Sequence, residues 1–427
     1  MHDVIVIGAG FAGCVAAREV RRAGRDPVIL EARDRIGGRT WTSDWDGRSF
    51  ELGANYFHWF QPHVWSEIVD AGVTPFAPPT ADPVHWVVGD GIRTAPHAER
   101  EAINESAWAK FCAGSWEILP EPHTPLAAAN RIDRLDGMTI RERIDELDLT
   151  DDERALLTVE CEGVASGSMD DAGALAIVRW HALSGHSLAL TQETAGGFAI
   201  AEGTIGLLQP ILDAAACEVR LGAPVEAVEQ AGDRVVVTLR SGEALPARAC
   251  VVTAPLNALG SIRFEPGLSE GKRAGIALGQ AGLGSKVMLK VRTPGGPVSG
   301  MHPDHPFGFI GTIFDLPGDE QILVCFGNDG AAIQHGDLAW AQRELDRVVP
   351  GCEVIGMNCH DWLGDEWSRG TWAIHRPGWY AHHHAEMQRP EGRLILANSD
   401  FADGWAGFVD GAIESGKRGG RWAAAVA

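Results

Sequence analysis

The chain opens Asp3-Val4-Ile5-Val6-Ile7-Gly8-Ala9-Gly10-Phe11-Ala12-Gly13, and Pro27-Val28-Ile29-Leu30-Glu31 follows after one helical stretch. A short β-branched run that ends on glycine reads as a buried parallel strand. Cys14 to about Ala23 reads as a helix that Gly24 stops, and Pro27–Leu30 as a second strand, making one βαβ unit. The three glycines fall where a dinucleotide needs them. Gly8 makes the tight turn, Gly10 lets a pyrophosphate approach the backbone, and Gly13 lets helix and sheet pack closely. The phosphates then sit on the helix N-terminus, where unpaired N–H groups and the dipole favour anions. Glu31, 18 residues beyond Gly13, can accept both ribose hydroxyls and would repel a 2′-phosphate, which argues against NADP. The competing reading is a glycine-rich turn in an unrelated α/β protein. It does not require strand, helix and acid in this order.

Outward from this unit, the 427 residues are 45% hydrophobic and 22% charged, with 52 Gly and 23 Pro. Disorder, collagen and coiled coil are excluded, and two or three domains are expected. No apolar run reaches the ~18 residues of a spanning helix. Met1-His2-Asp3 enters the first strand with no basic segment or cleavage site, so the cytoplasm is the expected location. Eight cysteines without a CxxC, the nearest pair being Cys352 and Cys359, read as reduced and mostly buried thiols. A net charge of −22 opposes nucleic acid and favours a cationic small molecule.

Thr150-Asp151-Asp152-Glu153 is a capping box that opens a helix through about Glu162, and 171–184 has helical periodicity. Strands are expected at 225–230, 234–239, 249–252, 286–291, 309–314, 321–326, 353–357 and 394–397, with a terminal helix over about 408–423. No repeat or linker separates the domains, so they are expected to interleave. His382-His383-His384 has the look of a metal run, but adjacent residues point different ways and no acid or cysteine cluster completes it. It is read as a solvated segment, and no metal is expected. No Ser-His-Asp or phosphoryl-transfer constellation stands out.

The segment Glu31-Ala32-Arg33-Asp34-Arg35-Ile36-Gly37-Gly38-Arg39-Thr40 decides between NAD and FAD. Arg33 and Arg39 bring cations to a second part of the pyrophosphate, and Gly37-Gly38 lets backbone come close to it. Here the chain resembles the flavin-containing amine oxidase family: monoamine and polyamine oxidases, L-amino acid oxidases and 6-hydroxynicotine oxidase. Glu51-Leu52-Gly53-Ala54-Asn55-Tyr56 is similar to the family's flavin-facing loop, with Ala54 where a second glycine is common. Gly284-Ser285-Lys286-Val287 is similar to its active-site lysine strand. Ala397-Asn398-Ser399-Asp400, then Gly404-Trp405-Ala406-Gly407-Phe408-Val409-Asp410-Gly411-Ala412, is similar to its C-terminal flavin motif. Within the family, the pattern most resembles 6-hydroxynicotine oxidase, in length and in His360-Asp361-Trp362 before Gly370-Thr371-Trp372.

Three departures accompany the likeness. Asn398 and Asp400 stand where the family usually has Gly and Glu; Asp400 keeps an acid that would hold a ribityl hydroxyl or order a helix N-terminus. Thr371 stands where members with covalent flavin carry Cys, which implies non-covalent FAD. No apolar tail follows Trp422, so the membrane-anchored form is not expected.

The resemblance implies cofactor contacts from Gly8, Gly10, Gly13, Glu31, Ala32, Arg33, Gly38, Arg39, Thr40, Gly53, Ala54, Asn55, Tyr56, Val225, Asp400 and Val409. It implies that Lys286 reaches flavin N5 through a water and assists reoxidation by O₂. Locally, Lys286 interrupts an apolar alternation, which suggests an inward lysine; a snorkelling edge lysine is the alternative. Trp372 and Phe408 match the two rings that flank a substrate amine, where they exclude water and tolerate a developing cation. Phe408, where many relatives have Tyr, favours apolar or aromatic amines. Tyr56, His58, Trp59 and Phe326 are wall candidates. Glu162 either pairs with a cationic group of the substrate or is a solvated helix acid.

The expected fold is α/β, a discontinuous Rossmann-like FAD domain (1–75, 204–275, 390–427) with an α+β substrate domain (76–203, 276–389) of amine-oxidase type. The expected function is FAD-dependent oxidation of a cyclic, secondary or aromatic-bearing amine, with O₂ as acceptor and H₂O₂ as product. An L-amino acid oxidase or a desaturase-type flavoprotein of the same superfamily is the alternative, and a flavin-bound regulatory protein is the rival of another class. A homodimer is left open.

Overall fold

The computed structural model describes residues 1–45, 47–293 and 295–427. Val4 to Ile7 are all buried, so the strand His2–Ile7 lies inside a sheet covered on both faces. It pairs in parallel with Pro27–Leu30 on one side and Ala244–Val252 on the other. Glu218–Arg220 extends the sheet beyond Pro27–Leu30, and Leu394–Leu396 pairs with the end of Ala244–Val252, both in parallel. Val225–Ala231, Arg234–Leu239 and Ala244–Val252 form an antiparallel meander, with Arg263–Glu265 at its outer edge.

The helix Phe11–Arg22 packs on this sheet and on the C-terminal helix Val409–Val426. The two helices meet almost backbone to backbone. A Cβ on Gly416 would lie 2.5 Å from the Ala12 carbonyl oxygen, and one on Gly420 2.4 Å from that of Ala16. Arg18, buried, donates two 2.6 Å bonds to Glu67 and so ties in a third helix, Pro62–Ala71.

A second sheet runs in the order Glu353–Cys359, Ser285–Arg292, Glu320–Gly327, Phe309–Leu316, Ser299–Met301, Val84–Val88, Gly91–Ala95. Lys286 lies opposite Phe326, and Phe326 opposite Phe309. Val287, Leu289 and Val291 pack toward the helix Leu338–Asp346, while Met288 packs with Phe50 and Leu52 on the other face. Alternation therefore sends Lys286 to the face that packs against residues 50–52. The helices His97–Phe111, Asp151–Ala165 and Ala174–Leu183 join the largest core, which reaches under the first sheet at Ile5, Val28 and Leu30. Among the described residues, no helix is long and apolar enough to cross a membrane.

Several expectations shift. The strand expected from 249 begins at Ala244, because its first half pairs with Arg234–Leu239 where the sheet is half exposed and the sequence turns polar. The helix expected from 171 begins at Ala174; the Asp171 carboxylate instead accepts a bond from Arg376. The triple-histidine segment is only partly solvated: His384 is buried, with Nε2 2.8 Å from an Asp403 oxygen. All eight cysteines are free, six of them buried.

Candidate active site

The carboxyl ends of His2–Ile7, Pro27–Leu30 and Ala244–Val252 converge on one cavity, which Ile7, Leu30 and Thr253 help to line. Parallel strands place ligands here because the helix N-termini and connecting loops gather at this edge. With its mouth included, the cavity holds about 1270 Å³ of space that no atom fills. Its lining brings together the glycine loop, Glu31 and Arg39, the groups that a dinucleotide needs.

The glycine loop fits that ligand. Gly8 turns at φ +105°, and a Cβ on Gly13 would lie 1.9 Å from the Gly8 carbonyl oxygen. Gly10 packs against Gly37 and Gly38 at the cavity wall; a Cβ on it would lie 3.8 Å from the Gly37 carbonyl oxygen and from the Gly38 Cα. No side chain caps the helix Phe11–Arg22 at Gly10, so its first N–H groups stay open to an anion. Glu31 is buried, its oxygens accepting bonds from the N–H groups of Ala9 (2.7 Å) and Arg33 (2.9 Å). The loop thus holds the carboxylate at the wall with lone pairs left for ribose hydroxyls.

The arginines of the next segment divide the work. Arg33 lines the cavity, donating to Asp365 (2.8 Å) and Ser368 (2.7 Å). Burial would raise the Asp365 carboxyl, but hydrogen bonds from His360 and Arg33 hold it well below the usual range. Arg39 also lines the cavity and donates to the Thr371 carbonyl, Asn398, Ser399 and Asp400. Arg35, to which the sequence reading gave no task, donates to the carbonyls of Ile36, Gly38 and Thr40, with its guanidinium 4.2 Å from the Trp41 ring centre. It shapes the Gly37-Gly38 loop from behind. Asp400 stands off the cavity wall, fully buried, and accepts the Leu256 N–H at the start of the short helix Leu256–Ser261. Of its two expected tasks, the geometry shows the ordering of a helix N-terminus.

At the other end stand Lys286, Trp372 and Phe408, all lining the cavity. Lys286 is 3% exposed and donates to the Gly53 carbonyl at 2.8 Å. Burial pushes its pKa down to about 7, against the pull of Glu51. Trp372 donates its indole N–H to the Val164 carbonyl at 2.8 Å, which fixes the ring by the end of the helix Asp151–Ala165. Phe408 is braced by Trp405 and Trp180, with ring centres at 5.1 and 4.5 Å. Thr371 lines the cavity and donates its hydroxyl to Ser166 Oγ at 2.8 Å. No cysteine or histidine is among the lining residues, so a thioether or histidyl link to a cofactor has no partner.

Ala32, Gly38, Thr40, Gly53, Ala54, Val225 and Val409 also line the cavity, while Asn55, Tyr56, His58, Glu162 and Phe326 stand outside it. Phe326 lies edge-on behind Trp372, with ring centres 5.8 Å apart. Tyr56 is partly buried against the cluster that holds Phe50, Leu52 and Met288. His58 is buried within a ring cluster that includes Trp59 and Phe60. Glu162 is not a solvated acid. It is buried, burial raises its pKa to about 7, and its Oε2 accepts the Asp304 N–H at 3.0 Å. Trp362 and Trp367 line the cavity without having been assigned to it. Trp362 donates to the Leu52 carbonyl at 3.0 Å, a partner too distant in the chain to be foreseen.

The chain is similar to known proteins over nearly its whole length. The family model described as flavin containing amine oxidoreductase matches residues 11–421. Pseudooxynicotine dehydrogenase from a Pseudomonas species is 34% identical, over 97% of this chain and 85% of that protein. (S)-6-Hydroxynicotine oxidase from Paenarthrobacter nicotinovorans is 28% identical over 97% of each. In fold, putrescine oxidase bound to putrescine superposes with a TM-score of 0.82 at 21% identity, over 98% of each chain. Cyclohexylamine oxidase from Brevibacterium oxydans gives 0.78 at 20% identity, over 99% of each. With a two-glycine cradle, a buried lysine and two braced rings on one cavity, and a family match over nearly its whole length, the chain belongs to the flavin-containing amine oxidoreductases, with FAD as its cofactor.

Proposed function

We propose that the enzyme oxidises a cyclic, secondary or aromatic-bearing amine at the Lys286 end of the cavity, with O₂ as the electron acceptor. The observation that carries this reading is the meeting of Lys286, Trp372 and Phe408 at one end of a dinucleotide cavity. When bound there, FAD supplies a hydride acceptor for the amine α-carbon and a route for two electrons to O₂, giving an imine and H₂O₂.

The chain's own residues prepare that exchange. Trp372 and Phe408 exclude water and leave a slot for a flat, neutral amine. Charged residues on the cavity wall are Glu31, Arg33, Arg39 and Lys286. Glu31 and Arg33 belong to the nucleotide end, and Arg39 is engaged by Asp400. An amino-acid carboxylate would therefore meet no free arginine between the rings, which favours an amine over an amino acid. Among the described residues, no carboxylate lines the wall at that end to act as a base, in keeping with a substrate that enters neutral. The names of two relatives, pseudooxynicotine dehydrogenase and (S)-6-hydroxynicotine oxidase, support an amine that carries an aromatic ring. Eight free thiols support a reducing, cytoplasmic setting.

Anaerobic mixing with a panel of primary, secondary and cyclic amines and amino acids tests the reading. Ring-bearing secondary or cyclic amines should bleach the bound FAD, and air should restore it with release of H₂O₂. Failure of every amine, with bleaching by an alkane or alkene substrate, would overturn it.

A further inference from the structure

We propose that Arg179 is a positioning residue that fixes Phe408, one wall of the amine slot, and so sets how tightly the slot grips a ring-bearing amine. The inference rests on the role given to Phe408 above. Arg179 lies in the helix Ala174–Leu183, whose residues are all buried. A helix buried all round is expected to be apolar, yet this one carries a guanidinium on a side chain only 2% exposed. Its partners are neutral. It donates to the Tyr380 hydroxyl and to the carbonyls of Asp403, Gly404 (3.1 Å) and Pro122 (3.4 Å). The Asp403 carboxylate is engaged elsewhere, by His384 at 2.8 Å and Arg418 at 4.0 Å. A buried charge without a carboxylate partner is costly, and the Arg179 Nε finds no acceptor at all. For packing alone, an apolar side chain of the same length would suit this helix better. What the guanidinium adds is a grip on the backbone of one loop.

That loop leads into Phe408. Asp403 and Gly404 are held from two sides: their carbonyls accept from Arg179, and their N–H groups donate to the Glu414 carboxylate at 2.9 Å each. A second line starts at the Tyr380 hydroxyl, 2.9 Å from His375 Nδ1, and continues from His375 Nε2 to the Asp400 carbonyl at 2.9 Å. With arginine donating at one end and a carbonyl accepting at the other, the Tyr380 proton points to Nδ1 and the His375 proton sits on Nε2. A neutral His375 fits, since burial holds its pKa well below the ordinary imidazole value. The carbonyls of Asp400, Asp403 and Gly404 are thus tied to one guanidinium, just ahead of Phe408 in the chain. The next residue of the helix, Trp180, packs on the Phe408 ring with centres 4.5 Å apart. Arg179 and Trp180 therefore hold the backbone and the ring of the same wall. Arg179 itself stands outside the cavity, so it acts through Phe408 and not on the amine.

The chain has 14 phenylalanines, so 4-fluorophenylalanine in the FAD-loaded enzyme gives a readable fluorine NMR spectrum, and Phe408→Leu assigns the signal that matters. Arg179→Met should shift or broaden the Phe408 signal and leave those of Phe50 and Phe314, in a separate cluster, in place. Arg179→Lys, which keeps the charge without the planar fork, should show a smaller change of the same kind. A Phe408 signal unchanged in position and width in Arg179→Met would overturn the proposal; should that variant not accumulate, the same result in Arg179→Lys would do so. Kinetics with N-methylbenzylamine gives the second reading. In Arg179→Met, kcat/KM should fall about tenfold or more, mostly through KM, with kcat within about threefold. In a Phe408→Leu background, the same substitution should cost less than about twofold more, because both changes act on one wall. A full further tenfold loss there would place the action of Arg179 elsewhere and contradict the proposal. If Phe408→Leu leaves KM unchanged, the role of Phe408 fails, while the fluorine signal still decides for or against Arg179.

Discussion

A single carbon added at Gly13 would collide with the Gly8 carbonyl at 1.9 Å, and backbone cannot swing aside as a side chain can. Gly13→Ala should cost about 2–3 kcal/mol and leave protein purified largely without FAD, which absorbance at 450 nm and thermal melts would show. At Lys286 the expected effect is on one half of the reaction. Lys286→Met should slow reoxidation by O₂ about a hundredfold and leave reduction by amine nearly unchanged in rapid mixing. The sign with pH follows from burial: the charged fraction of Lys286 falls as pH rises through about 7, so reoxidation should slow over the same range. Gly13 and Lys286 were legible because each sits in a local pattern, a glycine spacing or a broken apolar alternation. Arg35 and Glu51 were not. Arg35 serves its own loop's carbonyls, and Glu51 meets Thr204, which lies 153 positions away.

The capping box at Thr150 is an element that the sequence states outright, because both halves of the device lie within four residues. The Glu153 N–H donates to the Thr150 hydroxyl, and the Thr150 N–H to the Glu153 carboxylate, in the helix Asp151–Ala165. That helix ends at Trp372, through the Val164 carbonyl. Thr150→Ala should cost about 1 kcal/mol and lower the melting temperature by about 1–2 °C, with kcat for a good amine within about twofold. A drop in kcat of tenfold or more would mean that the cap governs the ring's position as well. The hairpin Val84–Val88 and Gly91–Ala95 escaped notice, because its second strand is mostly exposed and carries no alternation. The early start of Ala244–Val252 was hidden for the same reason. Strands with a continuous or alternating apolar pattern announce themselves; those without one depend on partners found only in the fold.

Across the whole molecule, the nucleotide sheet is assembled from the first strands, the 218–265 block and Leu394–Leu396, while the second sheet draws on residues 84–95 and 285–359. Motifs far apart in the chain therefore meet at one cavity, and their order could be read while their distances could not. The chain as a whole carries a net charge of −22. For an amine that is cationic in solution, kcat/KM should fall about two- to fivefold as ionic strength rises from about 20 to 300 mM, with kcat little changed. An uncharged amine analogue should show no such fall. The most direct measurement is a crystal structure of the enzyme with FAD and an unreactive amine bound. Lys286 Nζ should lie about 5–6 Å from flavin N5, one water apart, with the amine between Trp372 and Phe408. A ring lying away from Lys286, or an amine held outside those two side chains, would contradict it.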